Sequence, residues 1–84
     1  MGAEFSTGSI FSLGNLLAVQ GEVKEGIIRD DDMGTTTENK RFKIVRIQTK
    51  DGPIPRAEKP MRVTLILRDI GKPDISAGET LYIE

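Results

Sequence analysis

Eighty-four residues with a net charge of -1 and no long apolar run make one small domain. The chain has no Cys and no His, which excludes a disulfide framework and a thiolate metal site and removes the usual general base and zinc ligand. No stretch approaches the ~18 apolar residues of a membrane helix and no signal peptide is visible, so the sequence reads as soluble and cytoplasmic. Its high share of charged residues with few Asn and Gln is the balance found in thermophilic proteins.

Taken in chain order, the sequence predicts short strands and no helix. Residues 1–8 are small and polar and read as a flexible arm or a cloning remnant, leaving residues 9–84 as one β-barrel domain. Ser9–Leu13 is a short first strand anchored by Ile10 and Leu13. Leu16–Glu25 is the clearest strand, with Leu17, Val19, Gly21 and Val23 on one face and Gln20, Glu22 and Lys24 on the other. A Gly within a strand weakens it unless something approaches closely, and in a tight barrel that something is the opposite wall. Lys24-Glu25-Gly26 reads as a turn, and Gly26–Arg29 as the start of a returning strand. Asp30-Asp31-Asp32 lacks the spaced ligands and Gly of an EF-hand loop and reads as a polar loop with no metal. Gly34–Asn39, rich in Thr, reads as a mobile loop.

The second half continues the pattern. In Arg41–Thr49 the apolar phase shifts, with Phe42 and Ile44 on one face and Val45 and Ile47 on the other, which suits a β-bulge. Asp51–Pro55 carries two prolines and is barred from a central strand. Met61–Asp69 reads as a strand with Val63, Leu65 and Leu67 inward. Ile70–Gly78 reads as a turn, and Thr80–Glu84 as a last strand with Leu81 and Ile83 inward. The expected core is therefore Ile10, Leu17, Val19, Val23, Ile28, Phe42, Ile44, Val63, Leu65, Leu67, Leu81 and Ile83, in an all-β barrel or sandwich of about six strands.

A larger pattern spans these elements. Gly21-x-Val23-x-x-Gly26-x-Ile28 is followed by Ala57-x-x-Pro60-x-x-Val63-x-Leu65-x-Leu67-Arg68-x-Ile70, and Asp74-Ile75-x-x-Gly78-Glu79-x-Leu81 closes it. Over about residues 9–84 this resembles domain two of the translational GTPases, the β-barrel found in elongation factor Tu. The resemblance implies a closed six-stranded Greek-key barrel. It departs from the family where Asp31-Asp32 replaces a Gly-Asp pair and where Pro60 and Asp69 replace Gly. In the family this barrel helps hold the aminoacylated end of tRNA. Carried over by position, the pocket aromatic corresponds to Phe11, its two preceding acids to Gly8 and Ser9, its Thr to Gln20 and its Asn to Arg62. Only the aromatic is retained, and its plainer reading is a partly exposed barrel residue.

Charge supplies the other functional signal. Residues 40–72 hold ten Lys/Arg against Asp51, Glu58 and Asp69, an excess of seven positive charges; the remainder carries an excess of eight negative ones. The plain reading is a solvated, ion-paired surface. The functional reading is a basic face of Lys40, Arg41, Lys43, Arg46, Lys50, Arg62 and Arg68 aimed at a polyanion. On an unbroken strand Arg41 and Lys43 oppose Arg46 and Lys50; a bulge near Ile44–Val45 turns them into one stripe. With no P-loop, no nucleophile system and no facing carboxylates, the chain reads as a non-enzyme without cofactors that binds no nucleotide. The leading expectation is a translation-factor-like barrel binding RNA or a ribonucleoprotein. The alternative is a module docking on a GTPase or another translation-related protein.

Overall fold

Period-two alternation builds this molecule strand by strand. The computed structural model describes residues 2–84, and the described chain runs through β1 (Ala3–Leu13), β2 (Leu16–Glu25), β3 (Ile27–Arg29), β4 (Met33–Thr35), β5 (Arg41–Thr49), β6 (Gly52–Ile54), β7 (Arg56–Glu58), β8 (Arg62–Arg68) and β9 (Thr80–Ile83). A single 3-10 turn, Lys72–Asp74, precedes β9. No helix among the described residues is long and apolar enough to cross a membrane.

Six of these strands close on themselves. Hydrogen-bonded neighbours run β4-β9-β1-β2-β8-β5, and a further β4–β5 pairing completes the ring. β2 lies beside β8 rather than the next strand in sequence, which is the Greek-key crossover. Closure removes the unpaired edges that a short, twisted sheet would otherwise expose. β6, with Pro53 at its centre, hangs from β5 at the sheet's margin, where a missing backbone donor costs least. β3 does not return against β2. It pairs with β7 in a separate two-stranded ribbon, Ile28 opposite Ala57, and both of those side chains are buried.

The inward rows cross the barrel in register. Val19 lies opposite Leu65, which lies opposite Ile47; Leu17, Leu67 and Ile44 form the next row. Val23, Ile28, Phe42, Val63, Leu81 and Ile83 also take their expected core places, Ile10 only packs against the core partly buried, and the structure adds Ala3, Phe5, Ala57, Ile70 and Ile75. Ile47 joins the core because β5 bulges between Ile44 and Arg46. The extra residue, Val45, is turned out to solvent, and Phe42, Ile44 and Ile47 all face inward.

Three expectations need correction. Residues 3–8 are not an arm: Ala3, Phe5 and Thr7 alternate inward, residues 3–6 pair with β9 on one side, and residues 4–7 pair with β2 on the other. Met1 lies outside the described residues. The anchors assigned to the first strand reverse, since Ile10 is only partly buried and Leu13 is 51% exposed. The stretch read as a mobile loop, Gly34–Asn39, begins within β4, whose Gly34 is buried against Phe42 and pairs with both β5 and β9. A Cβ at Gly34 would stand 2.6 Å from the Phe42 ring and 2.8 Å from the Tyr82 carbonyl oxygen. The Thr36 hydroxyl then accepts from the Glu38 and Lys40 backbone N–H groups and ties the following turn.

Gly21 is required by its neighbour strand rather than by the opposite wall. A Cβ there would collide with the Ser6 carbonyl oxygen and stand 2.8 Å from the Phe5 ring. Phe5 fills the space that the missing side chain leaves.

Candidate nucleic-acid interface

The bulge at Val45 decides where the basic side chains of β5 point. Upstream of it Arg41 and Lys43 face out between the buried Phe42 and Ile44; downstream Arg46 and Gln48 face out around the buried Ile47. The same outer surface continues across β8 and β2 through in-register pairs. Lys43 lies opposite Arg68, Gln48 and Gln20 both lie opposite Thr64, and Arg62 lies opposite Glu22. Five of the seven predicted residues, Arg41, Lys43, Arg46, Arg62 and Arg68, thus stand on the outward side of neighbouring strands. Lys40 and Lys50 sit in the loops at either end of β5.

Acids meet most of these cations, all but one of them from another segment of the chain. Arg41 pairs with Glu84 at 3.1 Å, Arg62 with Glu22 at 3.3 Å, Arg68 with Asp69 at 3.5 Å, Lys43 with Asp31 at 3.8 Å and Lys40 with Asp74 at 3.9 Å. These are solvent-exposed pairs, each contributing about 0–1 kcal/mol and weakening with salt. Arg46 and Lys50 have no carboxylate within 4 Å among the described residues.

A cleft of about 260 Å³ opens on this face, lined by Gly8, Ser9, Gln20, Gln48, Lys50, Arg62 and Thr64 with backbone of neighbouring residues. It exists because β1 changes register against β2 between Thr7 and Ile10, so Gly8 and Ser9 stand clear of the ladder. Its walls offer amides, hydroxyls and two cations, a donor-rich set suited to polar, anionic groups. Four of the positions matched by resemblance to the family's pocket (Gly8, Ser9, Gln20 and Arg62) line it. Phe11, the fifth, stands outside it in a row with Ala18, Ile66 and Arg46, and is 50% exposed. Sequence reasoning missed Gln48 and Thr64, whose signal was the polar alternation of their strands.

A polar clasp joins three further segments. The Thr7 hydroxyl lies 2.8 Å from the carbonyl oxygens of Ser76 and Glu79. The Glu79 carboxylate accepts from the Ser76 N–H, the Thr37 N–H and the Thr37 hydroxyl. Burial pushes this carboxyl up, but those three hydrogen bonds outweigh it and hold the group below the ordinary carboxylate range. Among the described residues no cluster of three metal-ligating side chains occurs, Asp30–Asp32 included. Asp32 instead accepts the Arg29 backbone N–H at 2.9 Å.

This closed ring, with its Greek-key order, has the fold of a translation-factor domain-two barrel. Translation elongation factor SelB from Methanococcus maripaludis, in its apo form, superposes with a TM-score of 0.90 at 20% identity, over 100% of this chain and 18% of that one. GDP-bound aIF5B from Aeropyrum pernix superposes with a TM-score of 0.85 at 19% identity, over 98% of this chain and 14% of that one. The likeness is one of fold, and the chain spans less than a fifth of either protein's length. No family model matches the sequence, and no curated protein does.

Proposed function

We propose that this barrel is a non-catalytic, translation-related module that binds RNA or a ribonucleoprotein through the outer face of β5 and β8. The observation that carries the reading is the Val45 bulge, which turns Arg46 outward with Arg41 and Lys43 beside a donor-lined cleft edged by Lys50 and Arg62. Among the described residues no acid within 4 Å meets the charge of Arg46 and Lys50, and the exposed pairs around them are weak enough for a phosphate to displace their acids. Phe11 and Tyr82, which lies in the row of Arg41 through Thr35, are the exposed aromatics bordering this face among the described residues, so contact is mainly to phosphate and shape with little base stacking.

A titration with structured and single-stranded oligoribonucleotides tests this. Each phosphate neutralised on a single strand adds about -0.7 to the log–log salt slope, so four contacts give roughly -3. Replacing Arg41, Lys43 and Arg46 with Gln flattens that slope while leaving the fold intact. Binding that ignores salt, or that survives the triple replacement unchanged, contradicts the reading.

One observation favours a second reading, docking on a GTPase or other protein. Five of the seven cations already have acidic neighbours, and the half-exposed Phe11 and Leu13 border the face. A mixed-charge surface with an apolar margin is what a protein partner meets. Retention of a cellular protein that resists nuclease and persists at high salt would move the assignment to that reading.

A further inference from the structure

The β3–β7 ribbon places two arginines side by side. Ile28 and Ala57 point into the core with no exposure, so the flanking pair, Arg29 directly opposite Arg56, faces solvent. Like charges directly opposite in an antiparallel pair have Cβ atoms about 4.5–5.5 Å apart and destabilise the ladder. The barrel treats another such pair differently. Lys43 opposite Arg68 is met on both sides by acids, Asp31 at 3.8 Å and Asp69 at 3.5 Å. Neither Arg29 nor Arg56 has a carboxylate within 4 Å among the described residues.

Two of the nearby acids are turned elsewhere. Asp32 accepts the Arg29 backbone N–H, and Asp31 pairs with Lys43. Glu58 shares the outer face with Arg56 but lies opposite Ile27, not Arg29. The backbone beneath the two arginines is held in place. Ile28 and Ala57 are anchored in the core, the Asp30 N–H donates to the Pro55 carbonyl, and the Asp31 N–H donates to the Ile44 carbonyl of β5. Two guanidinium groups at one cross-strand position, on a fixed backbone and with no carboxylate within 4 Å among the described residues, match the chemistry of a tetrahedral oxyanion. Each can present a planar fork of N–H donors to it.

We propose that Arg29 and Arg56 form a phosphate-binding clamp on the ribbon, separate from the β5–β8 face and independent of the function assigned to that face. A bound phosphate neutralises the pair and removes the repulsion across the ladder. The phosphate group comes from free inorganic phosphate or from the backbone of a nucleic acid.

The test follows backbone amide resonances of the whole chain during titration with inorganic phosphate at constant ionic strength. A parallel titration uses a short oligoribonucleotide. The clamp predicts saturable shifts centred on residues 27–30 and 56–58, weakened at least about tenfold in Arg29→Gln and Arg56→Gln, the loss expected for a charge-assisted contact. Ribbon shifts from the oligoribonucleotide at lower concentration than phosphate assign the source to a nucleic-acid backbone; shifts from phosphate alone assign it to the free ion. Without phosphate at low salt, each variant should be at least as stable as the parent, because the repulsion is gone. Ribbon resonances that move with neither probe, or shifts unchanged in both variants, overturn the clamp. So does a marked loss of stability in Arg56→Gln, which would make these arginines structural.

Discussion

The two halves of β1 differ in a way that runs against their composition. Residues 9–13 hold Ile10, Phe11 and Leu13, yet Phe11 and Leu13 are half-exposed and this half pairs with β2 alone. Residues 3–7 are Ala-Glu-Phe-Ser-Thr, yet Ala3, Phe5 and Thr7 are buried, and this half is hydrogen-bonded to β2 and β9 or its approach. What buries a strand is being flanked on both sides within a closed ring, and apolar content follows only where that condition is met. The exposed half borders the basic face and the cleft; the buried half closes the barrel.

The comparison can be broken most forcefully at the two phenylalanines. Phe5→Ala should destabilise by about 3–5 kcal/mol, as for a fully enclosed aromatic, whereas Phe11→Ala should stay within about 0.5 kcal/mol, as for a surface change. Urea denaturation of both variants measures the contrast, and equal losses would erase it. Gly21→Val comes next. Its side chain must displace the Ser6 carbonyl and the Phe5 ring, and overpacking of this kind costs about 1–3 kcal/mol or more. An unchanged thermal midpoint would show that β1 yields easily at its buried half.

The smallest effect sharpens the comparison at the clasp that seals that half. Glu79 has its folded-state pKa lowered, so its contribution is present above the ordinary carboxylate value of about 4.3 and fades as pH falls through the folded value. Glu79→Gln should therefore be less stable than the parent at neutral pH, with the gap closing under acid. Parallel stability curves from pH 7 to 2 would mean that the Thr37 and Ser76 contacts do not depend on the charge.

How much of this was legible in the sequence varies with the physics of each segment. β2, β8 and β9 are long or regular enough for period two to show, and the broken phase of Phe42, Ile44, Val45 and Ile47 marked the bulge in β5. The arm assigned to residues 1–8 concealed the alternation Ala3, Phe5, Thr7, because small and polar residues carry little hydrophobic signal of their own. β3, β4, β6 and β7 have three residues each, too few for a period, and their partners are set by closure. The basic residues were visible, but their acidic neighbours were not: Glu22 meets Arg62 from forty residues away, and Glu84 reaches Arg41 from the last position. The cleft depends on the register shift at Gly8–Ser9, which no spacing in the sequence announces.

The most direct test of the account maps backbone amide shifts over the whole chain as a single-stranded oligoribonucleotide is added at low salt. The account predicts shifts concentrated on residues 41–50, 62–68 and the cleft positions 8, 9 and 20, fading as salt rises, with the clasp residues Thr37, Ser76 and Glu79 unmoved. Shifts confined to Thr37, Ser76 and Glu79, or none on β5 and β8, would contradict it.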